Sequence, residues 1–95
     1  MRSRLIERHR EKILELAARH GATEVRVFGS LARGEGTERS DLDLLVTLEE
    51  KRSLLDLVGL KQDIEELLHR SVDVVTEPAL SPYIRDRVLA EATPL

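Results

Sequence analysis

Polar and apolar positions alternate along this chain in two distinct rhythms. In the first segment, Arg2 to His20, Leu5, His9, Ile13, Leu16 and His20 recur at helical spacing, and Ile6 and Ala17 widen the stripe. Gly21 follows at once as a helix stop, with Arg19 in the last turn, where the helix dipole favours a cation. The period then changes to two. Glu24 to Phe28 alternates polar and apolar residues and reads as a strand. It runs into Gly29-Ser30 and a short helical piece, Leu31-Ala32-Arg33, ended by Gly34, and Glu35 to Ser40 reads as a polar loop. Asp41 to Thr47 is a second strand. Ser53, with Asp56 three residues on, forms a capping box for a helix carrying Leu54, Leu57, Val58, Ile64, Leu67 and Leu68. Val72 to Val75 is a third strand. Ser81-Pro82 opens a last helix with Tyr83, Ile84, Val88 and Leu89. The order α-β-α-β-α-β-α predicts an α/β (α+β) fold, a three-stranded mixed sheet with helices packed on it. A crossover helix joins its second and third strands.

Composition narrows what such a fold is for. Ninety-five residues are expected to make a single domain, and 41% hydrophobic with 35% charged residues describes a globular chain. Phe28 and Tyr83 are the only aromatic residues, so the stacking platforms of single-strand nucleic-acid binders are missing. A formal net charge of −3 gives no broad cationic footprint, and no direct nucleic-acid partner is expected. Cysteine is absent, which excludes disulfides and thiolate metal sites. The N-terminus lacks an apolar leader and no run reaches membrane-spanning length, so a cytoplasmic location without membrane contact is expected.

Three features carry candidate chemistry. Gly29 ends a strand and permits close approach of a ligand to the backbone, and Ser30 opens the next helix beside free N–H groups. That corner suits triphosphate oxygens, although Gly-Ser is also an ordinary strand-to-helix turn. Asp41 and Asp43 lie two apart, which puts their side chains on one face of a strand, roughly 7 Å apart at the backbone. Two carboxylates about 4 Å apart repel by about 4 kcal/mol at an effective dielectric of 20, and a divalent cation reverses the sign. The alternative is a half-exposed strand face. Asp73 interrupts the apolar run of the third strand, as an edge residue or as a third carboxylate of a two-metal site.

Together these runs, Gly29-Ser30-Leu31-Ala32-Arg33-Gly34 and then Ser40-Asp41-Leu42-Asp43-Leu44, resemble the signature of the polymerase-β-like nucleotidyltransferases. With Val72-Asp73-Val74-Val75 and the ending Leu80 to Leu89, residues 5 to 92 resemble the minimal nucleotidyltransferases, antitoxins paired with HEPN-domain ribonuclease toxins. The resemblance implies that Gly29 and Ser30 hold the triphosphate of ATP. It implies that Asp41 and Asp43 bind two Mg²⁺ ions, and that Asp73 is the third carboxylate, beside the attacking hydroxyl and able to act as its base. Arg33 would lie near the phosphates or pair with Glu35, and Ser40 would tighten the turn into the metal strand or bind phosphate. No position departs from the active pattern.

The resemblance further implies an Mg²⁺-dependent protein adenylyltransferase that moves AMP from ATP to a tyrosine hydroxyl of a HEPN toxin and neutralises it. Two other readings stay open: transfer to a small hydroxyl compound such as an aminoglycoside, and neutralisation by binding without catalysis. His9, His20 and His69 fall on helices or their ends without ligand-like pairing and read as packing or surface residues. Lys61, on the crossover helix, lies within conceivable reach of phosphate but has no motif to place it there.

Overall fold

A computed structural model describes residues 4–36 and 40–95. Helix α1 (Arg4–Arg19) leads to strand β1 (Ala22–Phe28), the single-turn helix α2 (Gly29–Ala32), β2 (Leu42–Leu48), α3 (Leu54–Leu68) and β3 (Val72–Thr76). A 3₁₀ turn (Glu77–Ala79), α4 (Pro82–Glu91) and β4 (Thr93–Pro94) complete the order. Arg2 and Ser3, expected at the start of the first helix, and residues 37–39 of the expected polar loop lie outside the described residues.

The sheet has four strands in the order β3-β2-β1-β4, one more than the pattern predicts. β1 pairs antiparallel with β2 and β4, and β2 pairs parallel with β3 through the α3 crossover, so the sheet is mixed as expected. The fourth strand escapes a pattern reading because it is two residues long and contains Pro94, which is tolerated only at a sheet edge. Leu95 N–H donates to the Val25 carbonyl at 3.0 Å and the Leu95 side chain is buried. Arg10 Nε donates to the Leu95 carbonyl, which ties the segment to α1 as well.

The two-residue alternation of the strands sorts the core into two layers. Val25, Val27, Leu42, Leu44, Val46 and Val72 pack on one face against Ile6, Ile13, Leu16 and Ala17 of α1 and Leu60, Ile64 and Leu68 of α3. Leu45 lies on the other face with Leu80 and Val88, flanked by Phe28, Val75, Leu89 and Ala92. The buried stripe of α1 is thus centred on Ile6 and Ala17 rather than on His9, which is only half-buried. Burial of α3 runs through Leu60, Ile64 and Leu68, while Leu54, Leu55 and Val58 are exposed. On α4 only Val88 is buried, and Tyr83 is 97% exposed. Among the described residues no helix is long and apolar enough to cross a membrane.

Local chemistry fixes the element ends. The Ser53–Asp56 capping box forms, and Ser81 caps α4 by accepting from Tyr83 N–H with Pro82 at the first turn. Gly59 sits under the His20 ring, where a Cβ would collide, so α3 closes on the end of α1 and His20 Nε2 meets Asp63 Oδ2 at 2.7 Å. Glu65 Oε2 accepts from both Lys61 Nζ (2.6 Å) and Val72 N–H (3.0 Å), and Lys61 Nζ also donates to the Val72 carbonyl. These bonds clamp the start of β3 onto α3. Between them His69 ends α3 at φ 54°, the left-handed region that favours glycine. His69→Gly is therefore expected to stabilise the fold by about 0.5–1 kcal/mol. Chemical denaturation checks this, and a loss of stability would show that the exposed imidazole makes contacts that matter.

Candidate active site

The strand alternation that buries Leu42, Leu44 and Val46 turns Asp43 to the opposite face, the one α4 partly covers. The same parity on β3 buries Val72 and turns Asp73 to that face. Because β2 and β3 run parallel in register, Asp43 is the direct partner of Asp73. Two carboxyl groups that the sequence separates by 30 positions thus stand side by side. Asp41 does not lie within the strand as the pattern suggests. It is the exposed residue just before β2, near enough for its charge to act on Asp43.

The crowding shows in the chemistry of Asp43. Its pKa is raised from 3.8 to about 6, first by burial and then by the charges of Asp73, Asp41 and Glu91. A group in this state lacks a nearby positive charge. Hard carboxylate oxygens are the donors that Mg²⁺ prefers, and a divalent ion would supply that charge, so the residues fit the metal chemistry. Among the described residues no three acidic or histidine side chains stand close enough to hold a metal ion without moving. Asp43 and Asp73 make the tight pair, and Asp41 acts on Asp43 through its charge.

The Gly29-Ser30 corner abuts this pair directly. Phe28, the last residue of β1, pairs with Asp43 across the sheet. The chain then turns at Gly29 with φ 81°, and a Cβ there would collide with the Asp43 carboxylate. Glycine is required twice over, by its left-handed backbone and by its neighbour. Helix α2 is one turn long, so the helix dipole expected at Ser30 reduces to a few local N–H groups.

What those groups do is visible in the structure. Gly29 N–H donates to Glu91 Oε2 at 2.8 Å, and Arg33 Nη1 donates to Oε1 of the same carboxylate. Arg33 Nε donates to Glu35 Oε1 at 2.7 Å, so the anticipated surface pair with Glu35 coexists with a second partner. The guanidinium pKa is raised, by Glu35 and then Glu91. The bonds from Gly29 and then Arg33 hold Glu91 below the ordinary carboxylate range.

Of the remaining candidates, Ser40 offers its carbonyl to Arg70 Nη1 at 3.0 Å and stands next to Asp41. Lys61 is engaged at the start of β3. Glu91 is the residue of this site that sequence reasoning misses. It lies 62 positions from Gly29, and no motif reaches that far. One physical signal existed: a glutamate in the final turn of a helix opposes the dipole and needs a donor elsewhere.

With this geometry in place, comparison with known proteins is direct. Residues 6–94 match the family model described as the nucleotidyltransferase domain. A relative from Thermococcus cleftensis, the protein adenylyltransferase MntA, is 46% identical over 77 residues, covering 81% of this chain and 78% of that protein. A candidate protein adenylyltransferase of Methanocaldococcus jannaschii is 46% identical over 83 residues, covering 87% and 89%. The solved structure of a candidate minimal nucleotidyltransferase superposes with a TM-score of 0.87 at 55% identity, over 100% of this chain and 97% of that one. The chain belongs to the nucleotidyltransferase domain family.

Proposed function

We propose that this enzyme transfers AMP from ATP to a tyrosine hydroxyl of a partner HEPN ribonuclease and thereby neutralises that partner as a toxin. The observation that carries the reading is the in-register pair Asp43–Asp73 set against the Gly29 turn, with Asp41 near enough for its charge to act on Asp43. On this reading the carboxylates are a cation-seeking cluster and the Gly29 turn an anion-holding corner, the juxtaposition that nucleotidyl transfer needs. Two further findings support it. The Thermococcus relative bears the name protein adenylyltransferase. The fold is also that of the antitoxin in the complex of a tri-AMPylated HEPN toxin from Shewanella oneidensis with its MNT antitoxin, at a TM-score of 0.70 and 19% identity.

In this reading Gly29, Ser30 and Arg33 hold the triphosphate, and Ser40 keeps Asp41 at the mouth of the site. Asp41, Asp43 and Asp73 would hold two Mg²⁺ ions, and the chemistry these would supply is neutralisation of phosphate charge. The acceptor oxygen forms a bond to the α-phosphorus as the bond to the β-phosphate oxygen breaks. Its proton passes to Asp73, which is exposed and so open to an incoming hydroxyl. Pyrophosphate leaves with the electron pair.

Transfer of label from α-labelled ATP with Mg²⁺ into host-lysate proteins tests the activity. Wild type is expected to label one small protein on tyrosine, and Asp41→Asn and Asp43→Asn are each expected to lower the rate by 10²-fold or more. Near-normal labelling by either variant would remove the metal assignment, and label on a small hydroxyl compound instead would replace the protein acceptor.

The crowded carboxylates also predict a stability signature. Because its folded pKa lies above its ordinary value, Asp43 weakens the metal-free fold most above pH 6. The weakening is relieved as pH falls from 6 toward 4, where the folded protein takes up the proton first. Metal-free Asp43→Asn is expected to be more stable than wild type by about 1 kcal/mol at pH 7.5, with the gap closing by pH 4. Mg²⁺ is expected to stabilise wild type and to have less effect on the variant. Thermal melts across pH read this, and an asparagine variant that melts below wild type at pH 7.5 contradicts it.

A further inference from the structure

Glu91 is bonded to two groups of the proposed phosphate corner yet has no role in the transfer step. Its carboxylate takes the Gly29 N–H on one oxygen and the Arg33 guanidinium on the other. A phosphate oxygen pair would use the same two donors in the same way, one backbone N–H and one charge-assisted bond. The side chain is only 18% exposed, so the contact closes the corner rather than decorating its rim. It also adds negative charge beside Asp43, which a triphosphate entering that corner would have to face.

The position is held by these two donors against local electrostatics. Glu91 is the last residue of the ten-residue α4, where the helix dipole disfavours a carboxylate. An alternative partner lies one turn back on the same helix: Arg87, at i−4, already acts on Glu91 through its charge. A change of side-chain rotamer toward Arg87 would give up the stronger bonds to Gly29 and Arg33, so the carboxylate leaves the corner only when another anion takes over those donors. The arrangement seen is the one that blocks the corner, and Arg87 offers the released carboxylate a cation one turn away.

We infer that Glu91 is an internal stand-in for phosphate: it occupies the Gly29–Arg33 corner in the nucleotide-free protein, leaves when a triphosphate enters, and so sets the affinity threshold of the site. The inference rests on the reading of Gly29, Ser30 and Arg33 as the triphosphate corner. Its consequence is discrimination. A single small anion replaces one carboxylate at no gain, whereas a metal-bound triphosphate brings further contacts and wins the exchange. If the closed arrangement is populated about nine times in ten, apparent affinity is reduced about tenfold.

The test uses inorganic tripolyphosphate with Mg²⁺, which needs no base recognition, titrated by calorimetry into wild type and Glu91→Gln. The variant keeps the shape of the side chain and removes its charge. Its dissociation constant is expected to be about tenfold lower than that of wild type. Glu91→Asp, one methylene too short to reach both donors, is expected to shift in the same direction and serves if the glutamine variant does not fold. In wild type, carbon-detected NMR at constant pH is expected to show the Glu91 carboxyl and the Gly29 amide shifting together as the probe saturates. Equal or weaker binding by a folded variant overturns the inference, as does a Glu91 carboxyl signal unmoved at saturation, and both leave the triphosphate corner intact. Failure of wild type and variants alike to bind the probe removes the corner itself, and the inference with it.

Discussion

Two carboxylates held in register on adjacent parallel strands repel each other, and the rest of this small protein is arranged around that repulsion. Asp43 and Asp73 cannot separate without breaking the pairing that also stacks Leu42 on Val72 and Leu45 on Val75. The hydrophobic layers on both faces of the sheet enforce the contact: one fixes the parity of β2 and β3, and the other roofs the face to which the aspartates turn. Burial then deepens the conflict by raising the Asp43 pKa to about 6. A fold this size has little stability to spare, and it holds this unfavourable pair between its edge strand β3 and its neighbour β2. On the proposed reading, a bound divalent cation relieves that conflict.

The anionic side of the site obeys the mirror of this logic. Gly29 N–H and the second edge of the Arg33 guanidinium, beyond its bond to Glu35, are donors that need an acceptor. Glu91 satisfies both from the far end of the chain, which draws α4 across the sheet face that carries Asp43 and Asp73. The α4 helix therefore joins the two halves of the site although it contributes just one buried side chain, Val88, to the core. Lys61 and Glu65 perform the comparable task at the opposite edge, since their bonds to both backbone groups of Val72 hold the residue before Asp73.

What could be read from the sequence divides along the range of the interactions. Gly29-Ser30, Asp43, the Ser53 and Ser81 caps and the crossover helix are set by spacing within a few residues and stand where the pattern puts them, whereas Asp41 falls just before the strand expected to begin with it. The pairing of Asp73 with Asp43 needed the register of two strands, which local pattern suggests but does not determine. The fourth strand and the Glu91 contact depend on partners 60 or more residues away and leave almost no local trace. Apolar residues misled where they are not buried. Leu54, Val58, Tyr83 and Ile84 fit helical stripes, yet the sheet is too small to cover them, and the buried stripe of α3 begins at Leu60 instead.

That last mismatch bears on how such a small domain meets its acceptor. The exposed group Leu54, Leu55 and Val58 lies at the start of α3, and Tyr83 and Ile84 lie at the start of α4. Both helices begin beyond the C-terminal ends of β2 and β3, whereas Asp43 and Asp73 sit near the N-terminal ends of those strands. The apolar exposure and the reactive cluster are thus at opposite ends of the sheet. On the proposed reading, an acceptor hydroxyl reaches the cluster past the exposed Asp41 and Asp73, away from that apolar exposure, so charge and positioning contribute more to its capture than apolar burial at those helix starts.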